Sequence, residues 1–101
     1  MSLNDRFSSA LGLAMKAGSV RSGELAAEKA LKGGKAFLAV LDGSASDNTK
    51  KRWSDMCKNA GVPLVFADDI GRAIGRDAHM VACITDKGFA DMMLRSRAEN
   101  E

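Results

Sequence analysis

The chain has 101 residues, of which 46% are hydrophobic and 28% charged, with fifteen basic and thirteen acidic residues that leave a net charge of +2. This length supports one hydrophobic core, so we treat residues 1–101 as a single domain. A charge this close to zero does not by itself imply a nucleic-acid partner. No apolar stretch approaches the length of a membrane span, and the first residues lack the order of a signal peptide. We therefore expect a cytoplasmic protein with no membrane partner.

Hydrophobic periodicity and turn residues predict helices and strands in regular alternation along the chain. Helices are expected over 4–17, 22–32 and 47–60, as a short helix that Asp68-Asp69 caps and Gly75 closes, and from Asp86 onwards. A very short strand is expected at Val20-Arg21, and apolar runs predict buried strands over 36–41, 64–67 and 80–84, the first of them covered on both faces of the sheet. The last six residues are expected to be frayed. This alternation predicts a three-layer α/β/α sandwich.

The second predicted helix has an unusual outer face. Ser22 is its candidate N-cap, and Gly33-Gly34 is expected to end it. At a fixed advance per residue, the core face would consist of Ala26, Ala27, Ala30 and Leu31. Leu25 falls on the opposite side, among charged residues. We predict that Leu25 faces solvent.

The predicted core draws on every layer of the sandwich. Its expected members are Leu11, Leu31, Leu38, Val40, Trp53, Val65, Ile74, Val81 and Ile84.

Residues that could carry catalysis or bind a metal are few. Cys57 and Cys83 lie in apolar surroundings with no Cys-x-x-Cys spacing, so we predict buried free thiols, with a disulfide as the alternative. His79 has no evident catalytic partner and is expected to be a partly exposed loop residue. Asp42 lacks the acidic pair of a phospho-acceptor site and is expected to cap a loop. The sequence therefore predicts neither an enzyme nor a cofactor or metal site.

Basic residues are more informative than these groups. They cluster at the start of the third predicted helix, on the outer face of the second, and around the loop before the last strand; the residues are Lys50, Lys51, Arg52, Lys29, Lys32, Arg72 and Arg76. Any one of them is more often a solvated charge than a ligand contact. Post-strand loops and helix N-termini bind phosphate oxygens when they lie on one edge. An RNA-binding edge that contains Lys29, Lys50, Arg72 and Arg76 is therefore our hypothesis.

Five segments occur in the order and spacing of a known family. They are GSVRSGELAAEKALKGGKA, AVLDGSASDNTKK, GVPLVF, IGRAIGR and ITDKGFA. These segments resemble the L7Ae/L30e superfamily of kink-turn-binding ribosomal proteins, most closely its small bacterial YlxQ-like branch, over about residues 11–90.

The resemblance implies a four-stranded mixed sheet in which Val20-Arg21 is the fourth strand. It also implies non-enzymatic binding of structured RNA, typically a kink-turn with sheared G·A pairs, in translation or transcription. In the family the RNA meets the start of the second helix, the loop after the following strand and the loop before the last strand, which correspond here to residues 22–32, 42–50 and 76–79. The implied partners are structured RNA and the ribosome or transcription machinery, with the chain expected to be a monomer.

The predicted RNA-binding residues combine these regions with the basic clusters. They are Ser22, Gly23, Glu24, Leu25, Lys29, Lys32, Asn48, Lys50, Arg72, Arg76 and His79.

The family's reader motif is Gly-x-Asn-Glu followed, after two residues, by lysine. Gly23 and Lys29 occupy their motif positions, but Leu25 and Ala26 stand where the asparagine and glutamate would be. Asparagine and glutamate read guanine edges through hydrogen bonds that leucine and alanine cannot make. Binding of another RNA, or of a kink-turn through shape and backbone, is therefore left open.

A protein-interaction or accessory domain is the alternative function, with Leu25 contacting a protein partner. Members of the bacterial branch are sometimes fused to another small domain, so this chain could be part of a longer protein.

Overall fold

A computed structural model describes residues 3–99, and the side chains of residues 6–97. Along the chain the elements are α1 (Leu3–Lys16), β1 (Val20–Ser22), α2 (Glu24–Lys32), β2 (Leu38–Asp42), α3 (Asp47–Ala60), β3 (Leu64–Ala67), α4 (Ile70–Ile74), β4 (Val81–Ile84) and α5 (Lys87–Glu99). The predicted alternation of helices and strands is confirmed. The four residues from 96 to 99 continue α5, so the prediction of a frayed tail is wrong for them, while residues 100–101 lie outside the described range.

The strands form one four-stranded sheet in the order β1-β4-β2-β3. Strand β4 runs antiparallel to β1 and to β2, whereas β3 is parallel to β2. Helices α1, α4 and α5 pack on one face of this sheet, and α2 and α3 pack on the other. The α/β/α sandwich and its mixed sheet are thus confirmed.

The two central strands account for the most apolar segments of the sequence. Every residue of β2 and of β4 is buried, because helices cover both faces of the sheet there. Of the predicted core, all but Val65 are buried, including Leu38, Val81 and Trp53, none of which has accessible surface. Val65 is only partly buried, and Phe66 beside it is 39% exposed. The prediction failed there because β3 is an edge strand that helices cover incompletely.

The junction between β1 and α2 differs from its prediction. Gly23 is the N-cap of α2, with φ at 85°, and no side chain caps the helix. Ser22 instead lies in β1, paired with Ala82 of β4, so its predicted role as the N-cap is wrong. The predicted helix end is confirmed, since the chain leaves α2 at Gly33 and turns at Gly34 with φ at 73°.

The buried stripe of α2 is narrower than predicted. It consists of Ala27, Ala30 and Leu31, whereas Ala26 is exposed. Ala26 lies at the margin of the stripe, where it lines an open groove beside the edge strand β1.

Side chains cap the starts of α3, α4 and α5, the last through Asp86, whose Oδ1 accepts from the Phe89 N–H at 2.9 Å. Ser46 caps α3, because its Oγ accepts a hydrogen bond of 3.2 Å from the Thr49 N–H. Helix α4 is capped from a distance, since the Ile70 N–H donates to Asp42 Oδ2 at 3.1 Å. The adjacent Asp69, which the sequence suggested as part of the cap, makes no capping bond through its side chain.

Both cysteines are buried free thiols, as predicted. Burial raises the pKa of Cys57, and burial together with the neighbouring Cys57 raises the pKa of Cys83 to about 12. Within residues 3–99, none of the helices is long and apolar enough to cross a membrane.

Candidate nucleic-acid interface

The start of α2 forms one wall of an open groove of about 730 Å³, here called the α2 groove. The end of β1, the start of α3 and the α4–β4 loop complete it. Its lining residues are Ser22, Gly23, Glu24, Leu25, Ala26, Lys29, Thr49, Ala78, His79 and Met80. The fold therefore brings Ser22, Gly23, Glu24, Leu25, Lys29 and His79 of the predicted site together.

Gly23 is needed where the α4–β4 loop meets α2. Its N–H donates to the Val81 carbonyl at 2.9 Å, which ties this turn to the central strand β4. A Cβ at Gly23 would lie 3.2 Å from both Cε1 and Nε2 of His79, and the positive φ adds backbone strain for any other residue. The His79 ring therefore packs directly on the backbone at the start of α2.

His79 is held in place by two hydrogen bonds. Its Nδ1 and the Ser22 Oγ share a bond of 2.8 Å, which joins the loop to β1. Its backbone N–H donates to the Arg76 carbonyl at 2.9 Å and closes a turn of the loop. These bonds hold the α4–β4 loop against the end of β1, beside the start of α2.

The outer face of α2 presents an apolar side chain beside a cation. Leu25 is 88% exposed, so the prediction that it faces solvent is confirmed. Lys29 follows one helical turn later, is also exposed, and lines the same groove. A ligand in the groove would meet both side chains.

The acidic flank of α2 is matched by cations. Arg52 of α3 contacts Glu24 Oε1 at 3.1 Å and Glu28 Oε1 at 2.7 Å. Lys32 contacts Glu28 Oε2 at 2.8 Å. Hydrogen bonds from Lys32 and Arg52 lower the pKa of Glu28. With both glutamates occupied in these ion pairs, Lys29 is left to set the positive charge of the outer face.

Several predicted site residues lie beside the α2 groove rather than in it. Lys32 faces a separate groove between α2 and α3 that Met56 also lines. Asn48 is exposed in the first turn of α3, next to Thr49. The Lys50 Nζ lies 6.0 Å from the centre of the Phe66 ring on β3.

Neither of the two arginines around α4 lines the α2 groove. Arg76 is exposed in the α4–β4 loop. Arg72 lines a groove with Gly12 and Lys16 of α1. The edge that Arg72 was predicted to share with Lys29 stays a prediction, with α4 packed in the layer of α1 and α5 and α2 on the other face of the sheet.

The predicted site residues leave out four members of the groove, namely Ala26, Thr49, Ala78 and Met80. Met80 is 40% exposed there, although it was predicted as the first residue of a buried strand. Strand β4 begins one residue later, at Val81. Thr49 was not selected because its contribution follows from the packing of α3 beside α2, which no local pattern reveals.

Asp42 has the loop-capping role that the sequence predicted. It is 8% exposed, and its carboxylate accepts hydrogen bonds from the Ser44 N–H, the Ser44 hydroxyl and the Ile70 N–H at 2.9, 2.7 and 3.1 Å. Burial favours a higher pKa for Asp42, but these hydrogen bonds outweigh it, and the pKa is lowered. Asp42 therefore joins the β2–α3 loop to the start of α4.

The chain is thus a small mixed-sheet α/β/α domain whose candidate interface is an open, partly basic groove at the start of α2. Residues 5–93 match the family model of the ribosomal protein L7Ae/L30e/S12e/Gadd45 family. The chain belongs to this family, as its sequence motifs predicted.

Individual relatives agree with this assignment. The chain is 38% identical over 87 residues to the RNA-binding protein YlxQ of Bacillus subtilis (strain 168), covering 83% of this chain and 87% of that protein. A structure from Bacillus halodurans C, described as a protein with unknown function, matches with a TM-score of 0.83 and 32% identity over 89% of this chain and 94% of the other. The Giardia lamblia 15.5kD RNA binding protein shares the fold, with a TM-score of 0.77 and 23% identity over 95% and 88% of the two chains.

Proposed function

We propose that this protein binds structured RNA through the α2 groove and catalyses no reaction. The observation that carries the proposal is the groove itself, where Leu25, Lys29 and the anchored His79 meet at the start of α2. The relative named as an RNA-binding protein covers most of this chain. As part of the same proposal, the protein acts as a cytoplasmic monomer among the RNAs of translation or transcription.

The groove favours recognition through shape and backbone over reading of base edges. Leu25 and Ala26 are exposed where the reader asparagine and glutamate would stand, and neither side chain carries a hydrogen-bonding group. Glu24 beside them is paired with Arg52. Lys29 supplies the charge for a phosphate, and Leu25 supplies contact area for an unstacked base or the face of a base pair. A kink-turn bound in this way would tolerate base changes.

Binding to a kink-turn RNA tests the proposal. The dissociation constant of the parent is compared with that of Lys29→Glu at several salt concentrations, and Lys58→Glu, a charge reversal in the last turn of α3, is the control. We expect Lys29→Glu to weaken binding and to flatten the salt slope by about one unit, because one phosphate contact is lost. Equal binding by Lys29→Glu and the parent would remove α2 from the interface.

A protein partner is the second candidate function. Leu25 and Met80, at 88% and 40% exposure, place two apolar side chains on one groove, which suits a contact with another protein. Association through apolar surface depends little on salt, whereas phosphate contacts weaken steeply with it. The salt series therefore distinguishes the two candidates.

A further inference from the structure

A second groove lies between α2 and the edge strand β1, and it shares Lys29 with the contacts proposed for the α2 groove. It encloses about 750 Å³ and is here called the β1-edge groove. Ala26, Ala30 and Gly33 contribute only small side chains or none along α2. These small residues leave the groove open along the length of the helix.

Three cations line this groove. They are Arg21 of β1, Lys29 of α2 and Lys35 of the α2–β2 loop, and none of the lining residues within the described part of the chain is acidic. The Arg21 Nη1 donates to the carbonyls of Gly18 and Val20 at 3.1 and 3.0 Å, which fixes the guanidinium at the edge of the sheet. A guanidinium carries five N–H donors, so further donors remain for a ligand. The charge complements a phosphate backbone.

An aromatic ring stands among these cations. Phe37 is 45% exposed, and it lines the same groove as Lys35 and Arg21. Its backbone N–H donates to the Ile84 carbonyl at 2.8 Å, so the sheet fixes the position from which the ring projects. An exposed ring beside fixed cations is the combination with which proteins bind single-stranded nucleic acid.

The two grooves adjoin at Ala26 and Lys29, which line both. We propose that the β1-edge groove binds single-stranded RNA, as the unpaired continuation of the structured RNA in the α2 groove. Lys35 and Arg21 contact phosphates there, and one base stacks on Phe37. This inference rests on the proposed function for the continuity of the RNA, but the groove and its ring can be tested separately.

The test uses the full chain, labelled with nitrogen-15, and octauridylate as the probe. Amide shifts are expected at Arg21 and over residues 33–37. Phe37→Ala should weaken octauridylate binding about five-fold or more, the loss expected for one stacked base. Phe37→Trp should retain binding because the larger ring still stacks. Lys58→Ala is the control for general loss of charge, and thermal midpoints confirm that each variant is folded.

The outcomes separate this inference from the proposed function. Binding of a kink-turn RNA without octauridylate shifts in the β1-edge groove would overturn the inference and leave the proposed function standing. If octauridylate causes shifts in the β1-edge groove but the protein fails to bind a kink-turn RNA, the single-strand site is supported and the proposed function is removed. Equal shifts with hexaglutamate would overturn the assignment to RNA, because an acidic peptide would then serve as well. Unchanged octauridylate affinity in Phe37→Ala would also overturn it.

Discussion

Replacing Gly71 by alanine should displace the α4–β4 loop and thereby weaken both the fold and RNA binding. Gly71 is buried in α4, directly beneath that loop. A Cβ there would lie 2.7 Å from the Arg76 carbonyl oxygen and 2.9 Å from that of Asp77, closer than such atoms approach in folded proteins. The Gly71 carbonyl also accepts the Arg76 N–H at 2.8 Å, so the loop is held against the position that the new methyl group would occupy.

The size of the effect follows from this clash. The obstructing atoms belong to the backbone, so the loop must shift rather than a side chain rotate, and overpacking of this kind costs about 1–3 kcal/mol. At about 4–8 °C per kcal/mol for a domain of this size, we expect the thermal midpoint to fall by roughly 5–20 °C. The shift also strains the 2.8 Å bond between Ser22 and His79. We therefore expect RNA affinity to fall by about five-fold at temperatures where the variant is folded, which corresponds to about one hydrogen bond.

Circular dichroism on heating gives the midpoint, and nitrogen-15 shifts of Gly23 and His79 report the loop position. Gly88→Ala in the first turn of α5 is the matched control, because its Cβ would meet only the Asp86 side chain, at 3.1 Å. Its midpoint should change little. An unchanged midpoint in Gly71→Ala, with Gly23 and His79 shifts like those of the parent, would refute the reasoning.

Three further predictions concern the core and the buried polar groups. Leu38→Ala should lower the free energy of unfolding by about 2–5 kcal/mol, because Leu38 is fully buried, and urea denaturation that shows less than 1 kcal/mol would contradict this. Asp42→Asn should cost about 1–3 kcal/mol at pH 7. Because the pKa of Asp42 is lowered in the folded state, its contribution to the free energy of unfolding is present above the unfolded pKa and lost on acidification. The difference in that free energy between variant and parent should therefore shrink below about pH 4. A difference that does not depend on pH would contradict this. Cys57 and Cys83 should resist Ellman's reagent in the native protein and react in urea, because burial raises both pKa values; rapid native reaction would contradict it.

Features that depend on neighbouring residues in the sequence were predictable. Helix α3 occupies the predicted residues, because turn residues and Gly61 mark its ends. The apolar runs around β2 and β4 predicted strands covered on both faces. The exposure of Leu25 followed from the advance of 100° per residue along one short helix.

Features that depend on residues distant in the sequence could not be predicted. Ser22 resembles an N-cap locally, but pairing with Ala82, sixty residues away, makes it part of a strand. Val65 has the same apolar neighbours as a central-strand residue, and only the strand order places it at an edge. Nothing in the local sequence says that α4 packs with α1, and that contact separates Arg72 from the α2 groove.

The α2 groove shows the same difference between features that depend on neighbouring residues and features that depend on distant ones. The family resemblance indicated the segments that line the groove. The hydrogen bond between Ser22 and His79 was not predictable in this way, because it joins residues 57 positions apart. Likewise, the pairing of Glu24 with Arg52 depends on how α3 packs beside α2. Sequence reasoning therefore identified most of the groove's residues but not the contacts that hold them.

The central claim is that RNA contacts the outer face of α2, and the affinity of Leu25→Asp for a kink-turn RNA tests it most directly. Leu13→Asp is the matched control, because Leu13 is also an exposed leucine on a helix, at 55%, but lies on α1. Both substitutions are at the surface and should change stability by no more than about 0.5 kcal/mol. We predict that Leu25→Asp weakens binding about tenfold or more, since it removes apolar contact and adds a charge facing phosphates. Equal affinities for Leu25→Asp, Leu13→Asp and the parent would contradict the claim.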